Sequence, residues 1–351
     1  MSVFPHSRRH ACWPLVLLGG AVVASSEAVA DGPPVNLLPT VGSIERLDPR
    51  FEALVPRDAK IEVLASGFAW AEGPVWVKEA GHLLFSDIPR NRVHRWEPGT
   101  GLSVYLDPAG FTGVVAYGDE PGSNGLTLDR QGRLISCEHG DRRVSRLEPN
   151  GGKRTVADAW NGRRFNSPND AVVHSSGATY FTDPPYGLPG GFDDPRREQE
   201  CCGVYRVAAD GVVTLLCRTM SRPNGLAFSP DEKKLYVAQS DPAAPIWRVF
   251  DVLADGTLDE GRLFFDGTSL FRERRKGLPD GLKVDAAGNV FATGPGGVLV
   301  LAADGTHLGT LLTGQATANC GFGDDGSTLY VTADSLLCRV RLSTRGPLPG
   351  P

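Results

Sequence analysis

Several marks of common protein classes are missing from this chain. The densest basic stretch is only Arg272 to Lys276, and 41 acidic residues outnumber 36 basic ones. That leaves no positive field for neutralising phosphates, so nucleic acid is excluded as a partner. Beyond the first 30 residues, no apolar run is long enough to cross a bilayer. No Cys-x-x-Cys occurs, so a zinc ribbon or thioredoxin motif is unsupported. No Gly-x-Ser-x-Gly occurs, and Ser123-Asn124-Gly125 lacks the strand–turn–helix context of a serine nucleophile. Gly294-Pro-Gly-Gly297 precedes no helix and is no phosphate loop. Segments of helical period are absent, which argues against a doubly wound α/β fold.

Glycine and proline are abundant instead, at 43 and 27 residues of 351. Such a composition suits short strands joined by tight turns. Hydrophobic residues make up 41 %, ample for a large core and too many for a disordered chain.

The N-terminus reads as an export signal. Arg8 and Arg9 precede an apolar stretch from Trp13 to Ala24, and Ala28-Val29-Ala30 supplies small residues for cleavage. Residues 1–30 are therefore expected to be a signal peptide, followed by an extension over 31–44. The product is expected in the periplasm or secreted, with no membrane insertion after cleavage. In an oxidising compartment the six cysteines beyond Cys12 could form disulfides, such as Cys201 or Cys202 with Cys217, and Cys320 with Cys338. Buried free thiols are the alternative.

Self-similarity organises the rest. An acidic or amide residue, a small residue and an apolar strand recur at Glu72, Asn124, Asn169, Asn224, Asp280 and Asn319, at intervals of 52, 45, 55, 56 and 39 residues. A polar turn and a second strand follow in each copy. Six units of about four strands each predict an all-β, six-bladed propeller over residues 45–343, with a C-terminal tail over 344–351. Ile61–Leu64 is expected to pair into the last blade and close the ring.

In a propeller the innermost strands start at the central channel, so residues equivalent to Glu72 face one axis. Carboxylates and amide oxygens there make a site for a hard cation, and calcium tolerates such irregular oxygen sets best. No His or Cys stands at a repeat start, which disfavours zinc and copper. Asn-Gly and Asp-Gly are also ordinary turn dipeptides. Their recurrence at corresponding positions favours function. Pro74, Pro168, Pro223 and Pro279 adjoin four of the slots. Asn124 and Asn319 lack such a proline and are expected to support the site from a turn or from behind the ring.

These residues carry a resemblance. Glu72-Gly-Pro-Val-Trp76, Ser167-Pro-Asn-Asp170, Tyr180-Phe-Thr-Asp-Pro-Pro-Tyr-Gly187, Arg222-Pro-Asn-Gly225 and Pro279-Asp-Gly281 resemble the gluconolactonase branch of the senescence-marker-protein/regucalcin/gluconolactonase family. The likeness spans roughly residues 45–340. It implies a propeller with one divalent cation, usually calcium, in the channel, and hydrolysis of a sugar lactone. The implied metal ligands are Glu72, Asn169, Asn224 and Asp280. Asp280 is the candidate general base, with Asp170 and His139 as alternatives. His139 is expected away from the axis. Arg142, Arg143 and Arg164 either bind substrate or sit on a solvated surface. The loop 188–200 is expected to form a rim or lid. Two other readings stay open: a related esterase or organophosphatase, and a non-enzymatic binding propeller with a structural metal. A metal-free strictosidine-synthase-like reading is disfavoured by four ligand-type residues.

Overall fold

A computed structural model describes residues 38–351. The expected signal peptide over 1–30 lies outside the described residues. All sheets are antiparallel, and six of them are radial blades built in chain order. Blade 1 runs Ala71–Val77, His82–Asp87, Arg92–Glu97 and Gly101–Leu106, and blade 2 runs Ser123–Leu128, Leu134–Glu138, Arg143–Leu147 and Lys153–Ala157. Blade 3 runs Ala171–Val173, Thr179–Asp183, Gly203–Val207 and Val213–Cys217. Blade 4 runs Pro223–Phe228, Lys234–Asp241, Ala244–Asp251 and Arg262–Asp266. Blade 5 begins with Leu282–Val284, Val290–Gly294, Gly297–Leu301 and His307–Leu312, and blade 6 with Thr317–Gly323, Thr328–Ala333 and Leu336–Arg341.

Segments from the start of the described chain complete the last two blades. Ile61–Ser66 pairs with Leu336–Arg341, Val63 facing Cys338, so the ring closes as expected and blade 6 has no bare edge there. Residues 40–44 of the expected extension are also structural. Thr40–Val41 pairs outside Ile61–Ser66, while Ser43–Arg46 pairs with His307–Leu312. Gly42 makes the step between the two blades at a φ of +65°, where a Cβ would lie 1.8 Å from the Leu312 carbonyl. The propeller therefore starts at Thr40 rather than at residue 45.

The blades meet through apolar faces. Phe165, Phe181 and Tyr205 pack with Val144 and Cys137 between blades 2 and 3. Trp247 and Val249 pack with Leu299 and Leu301 between blades 4 and 5. The innermost strands of blades 1, 2 and 6 are almost wholly buried, because neighbours flank both faces and the channel covers their edge. The cysteines settle on the free-thiol alternative. Cys137, Cys202, Cys217, Cys320 and Cys338 are buried and unpaired, and Cys201 is half-buried and unpaired. Cys320 and Cys338 share one apolar cluster without a bond, acting as small core residues.

The tail is part of the fold as well. Thr344 donates to Asp285, Leu348 packs into the core, and Gly346 lies against Gly326. Residues 345–350 of the tail border a cavity of about 520 Å³ at the lower mouth of the channel, where the innermost strands end. Among the described residues no helix is long and apolar enough to cross a membrane.

Candidate active site

Each innermost strand delivers one polar side chain to the upper part of the channel. In blades 1, 2, 4 and 6 a bulge sits at this point: the register slips between Glu72 and Val75, Ser123 and Leu126, Pro223 and Leu226, and Thr317 and Asn319. A bulge re-aims the side chain at the strand end. In blades 3 and 5 the strand begins just after the site residue. Asn169 N–H bonds the Thr182 carbonyl at 2.9 Å, and Asp280 N–H bonds the Thr293 carbonyl at 3.1 Å.

Hydroxyls at the end of the second strands lock neighbouring blades at the same level. Ser86 donates to the Asn124 carbonyl (2.8 Å), Thr182 to the Asn224 carbonyl (2.7 Å), Thr293 to the Ala318 carbonyl (2.9 Å), and Ser240 to the Pro279 carbonyl. The glycines after the ring residues answer a second constraint. A Cβ on Gly225 would lie 2.3 Å from the Asp280 carbonyl oxygen, and one on Gly281 would lie 2.0 Å from the Asn319 side chain. Neither glycine has a positive φ. Their role is close approach between blades, not the turn geometry that an Asn-Gly or Asp-Gly dipeptide suggests on its own.

The four expected ligands all stand at this level of the channel. Glu72, Asn169 and Asn224 are buried. Glu72 accepts from its neighbour Gly73 N–H at 2.5 Å and from Asn319 Nδ2 at 3.0 Å. Asn319 Nδ2 also reaches Asp170 Oδ2 at 3.3 Å. Asn319 thus supports the ring from behind, as expected. Asn224 Nδ2 donates to Ser240 Oγ at 3.0 Å, which fixes its amide. The carbonyl oxygens Asn169 Oδ1 and Asn224 Oδ1 and the carboxyl oxygen Asp280 Oδ1 are buried and accept no hydrogen bond. Asn124 Oδ1, at the equivalent position of blade 2, is also buried and accepts no hydrogen bond. Buried acceptors are normally satisfied, and four left open on one ring suit a ligand that brings positive charge.

The electrostatics point the same way. Glu72 is pushed up by burial and then by the charge of Asp170. Asp280 is pushed up by burial, then by Glu72, Asp170 and Glu120. Asp170 is pushed up by burial, with Lys283 opposing. Three crowded carboxyls against one ammonium leave two negative charges for a bound cation to balance, and buried like charges resist joint ionisation without one. The residues present therefore fit a divalent, oxygen-preferring ion. No cluster of three or more His, Cys, Asp and Glu side chains arranged to hold a metal occurs among the described residues, as a ring half made of amides would dictate.

Lys283 was not singled out by sequence reading. It follows Leu282 on the innermost strand of blade 5, and no repeat partner carries a lysine there. His139 departs from expectation. It is fully buried and near the ring, with Nε2 3.2 Å from Asn124 Nδ2 and Nδ1 3.6 Å from Glu120 Oε2. Burial lowers its pKa to about 4, so it is neutral at physiological pH. The loop after the second strand of blade 2 turns inward beneath Gly187, where a Cβ would strike His139 at 2.3 Å. Glu120 was also missed. It lies on the half-exposed loop between blades 1 and 2, and burial raises its pKa to about 7.

The three arginines are engaged by the protein itself. Arg142 is buried and donates to the Phe165 and Asn166 carbonyls. Arg143 pairs with Glu138 and Asp141, and Arg164 donates to the Asp141 carbonyl. All three brace the loops of blades 2 and 3. The loop 188–200 packs on the loop that carries Glu120. Pro189 packs on Gly118, and Arg196 stacks over Tyr117 at 5.1 Å, joining it to the loop of Glu120.

Comparison with known proteins matches this architecture. The model of the SMP-30/gluconolactonase/LRE-like region matches residues 70–335. A gluconolactonase of Zymomonas mobilis is 42 % identical over 314 residues, covering 88 % of each chain. The structure of a gluconolactonase from Xanthomonas campestris superimposes with a TM-score of 0.75 at 32 % identity, covering 87 % of this chain and 97 % of the other. A calcium-binding protein, regucalcin from Agrobacterium tumefaciens, shares the fold with a TM-score of 0.65 at 21 % identity, over 82 % and 95 % of the two chains.

Proposed function

The chain belongs to the SMP-30/gluconolactonase/LRE-like family, and from that premise we propose that it opens a sugar lactone such as glucono-1,5-lactone to the aldonic acid, with calcium as its cation. The chain is an enzyme, a lactone hydrolase of gluconolactonase type. The observation that carries the cation is the set of open buried oxygens on Asn169, Asn224 and Asp280 beside the crowded Glu72. Glu72, Asn169, Asn224 and Asp280 would hold it. When bound, a divalent cation polarises the lactone carbonyl and stabilises negative charge on its oxygen.

The chain's own residues supply the rest. Gly73 N–H and the Asn319 amide hold Glu72 in one orientation, and Ser240 holds Asn224. Lys283 tempers the charge of Glu72 and Asp170. Asp280, whose Oδ1 is buried without a hydrogen-bond partner, takes a proton from the water that attacks the carbonyl carbon. The C–O bond to the ring oxygen then breaks, and that oxygen leaves with a proton as the hydroxyl of the hydroxy acid. Glu120, with a pKa of about 7 and a charge that Asp280 feels, is suited to pass protons between the ring and solvent. Export to the periplasm or medium is part of this proposal, resting on the signal-like residues 1–30.

The test is acid release from glucono-1,5-lactone by the mature protein, before and after chelation and with calcium, zinc or magnesium restored, beside Asp280→Ala. Calcium-restored turnover that Asp280→Ala lacks is the expected result. Tight calcium binding by an intact fold with no turnover of any lactone would transfer the assignment to an esterase of other specificity or a binding propeller.

A further inference from the structure

We propose that Arg197 and Arg222 form an anion subsite on the rim, which selects lactones bearing a second acidic group, a carboxylate or a phosphate, away from the ester. The proposal rests on the lactonase reading above and narrows its substrate class.

Both guanidinium groups stand against one ring. Phe192, on the short 3₁₀ turn Gly191–Asp193 of the loop 188–200, has Arg197 Cζ at 5.5 Å and Arg222 Cζ at 5.0 Å from its centroid. Arg222 is anchored at the ring itself. It lies two residues before Asn224, and its carbonyl accepts from Ser240 N–H at 3.0 Å. Ser240 is the residue whose hydroxyl holds the Asn224 amide. The Tyr186 hydroxyl lies 3.5 Å from the carbonyl of the same Ser240.

Among the described residues neither arginine has a carboxylate within ion-pair distance or an acceptor for its guanidinium, although acids are close by. The adjacent Arg196 is bound in bidentate fashion to Asp194, at 2.9 and 2.7 Å. Asp183 Oδ2 accepts from Asn166 N–H while its Oδ1 is buried without a partner, and the nearby charge of Arg197 falls short of pairing with it. Asp241 is engaged by Ser221 Oγ and Ala243 N–H. Arg197 Nε is buried with no hydrogen-bond partner among the described residues. A buried unpaired donor is costly, and a fork of N–H groups matches the oxygens of carboxylate or phosphate. A neutral lactone would leave that capacity unused. An acidic lactone would present its ester to the cation and its second charge to the arginines.

The test compares wild type, Arg222→Gln, Arg197→Gln and the double variant on three lactones: neutral glucono-1,5-lactone, glucaro-1,4-lactone for the carboxylate and 6-phosphoglucono-1,5-lactone for the phosphate. The wild type should prefer at least one acidic lactone by kcat/KM, and added salt should weaken that preference. Each glutamine variant should cut the acidic-to-neutral ratio of kcat/KM by roughly tenfold to hundredfold, mostly through KM. Which arm responds identifies carboxylate or phosphate. Calorimetric titration with glucarate and 6-phosphogluconate reads the same pair without turnover. Binding lost in Arg222→Gln while no lactone is hydrolysed would keep the subsite and sink the lactonase reading. An unchanged acidic-to-neutral ratio, or no wild-type binding of either anion, would overturn the subsite.

Discussion

Gly225→Ala tests whether the dipeptides of the ring exist for close packing between blades. The added Cβ would lie 2.3 Å from the Asp280 carbonyl oxygen and 2.5 Å from Gly281 Cα, both backbone atoms that cannot rotate away. Blades 4 and 5 would have to separate by about 1 Å at this level to restore ordinary contact, in a core packed as densely as a crystal. Overpacking of this kind costs about 1–3 kcal/mol. For a propeller of this size that is a fall in Tm of roughly 2–5 °C. The displaced atoms belong to Asp280 and the next residue, so the site should suffer more than the fold. A misplacement near 1 Å is worth about a hundredfold in turnover. Gly177→Ala is the control. Gly177 has a φ of +84° with nothing within 4 Å of a Cβ, so it should lose about 1–2 kcal/mol from backbone strain and keep full activity. The assay is thermal unfolding with calcium titration and lactone turnover on both variants. A Gly225→Ala protein with wild-type Tm, calcium affinity and turnover would refute the reasoning and return Asn224-Gly225 to ordinary turn chemistry.

Other outcomes follow from the same geometry. Asn169→Ala and Asp280→Asn should each weaken calcium binding at least tenfold by calorimetry, because each removes a ligand oxygen or a ligand charge. In the metal-free protein, burial raises the pKa of Asp183 to about 7, and Glu72 and Asp280 are shifted in the same direction. The folded state then binds protons that the unfolded chain releases. Stability with chelator present should be full below the ordinary carboxyl range near 4 and fall as pH rises through about 7, as read by urea midpoints at pH 5 and pH 8. Calcium should stabilise most at the higher pH, since it binds the ionised carboxyls. A metal-free protein that gains stability toward pH 8 would contradict the site's electrostatics. Thr182→Val removes the hydroxyl that donates to the Asn224 carbonyl at 2.7 Å, which should cost about 1–3 kcal/mol in denaturant unfolding.

The sequence alone determined what repetition writes. The recurring polar–small–apolar unit carried the six blades, the closing strand at Ile61 and the axial position of Glu72, Asn169, Asn224 and Asp280, because every copy restates the same local geometry. Contacts made once, between residues far apart in the chain, had no such echo. The bond from Asn319 to Glu72 joins residues 247 apart in the chain. Lys283, Glu120 and the inward turn of His139 belong to single blades, and sequence offers no second copy to reveal them. The cysteines could be counted but not paired, since a disulfide depends on distance and side-chain direction. The tertiary structure left them as buried thiols. It also gathered Arg197, Phe192 and Arg222 from a loop and a strand entry into one cluster. Periodicity determines which residues face an axis, and only folding decides which charges meet across it.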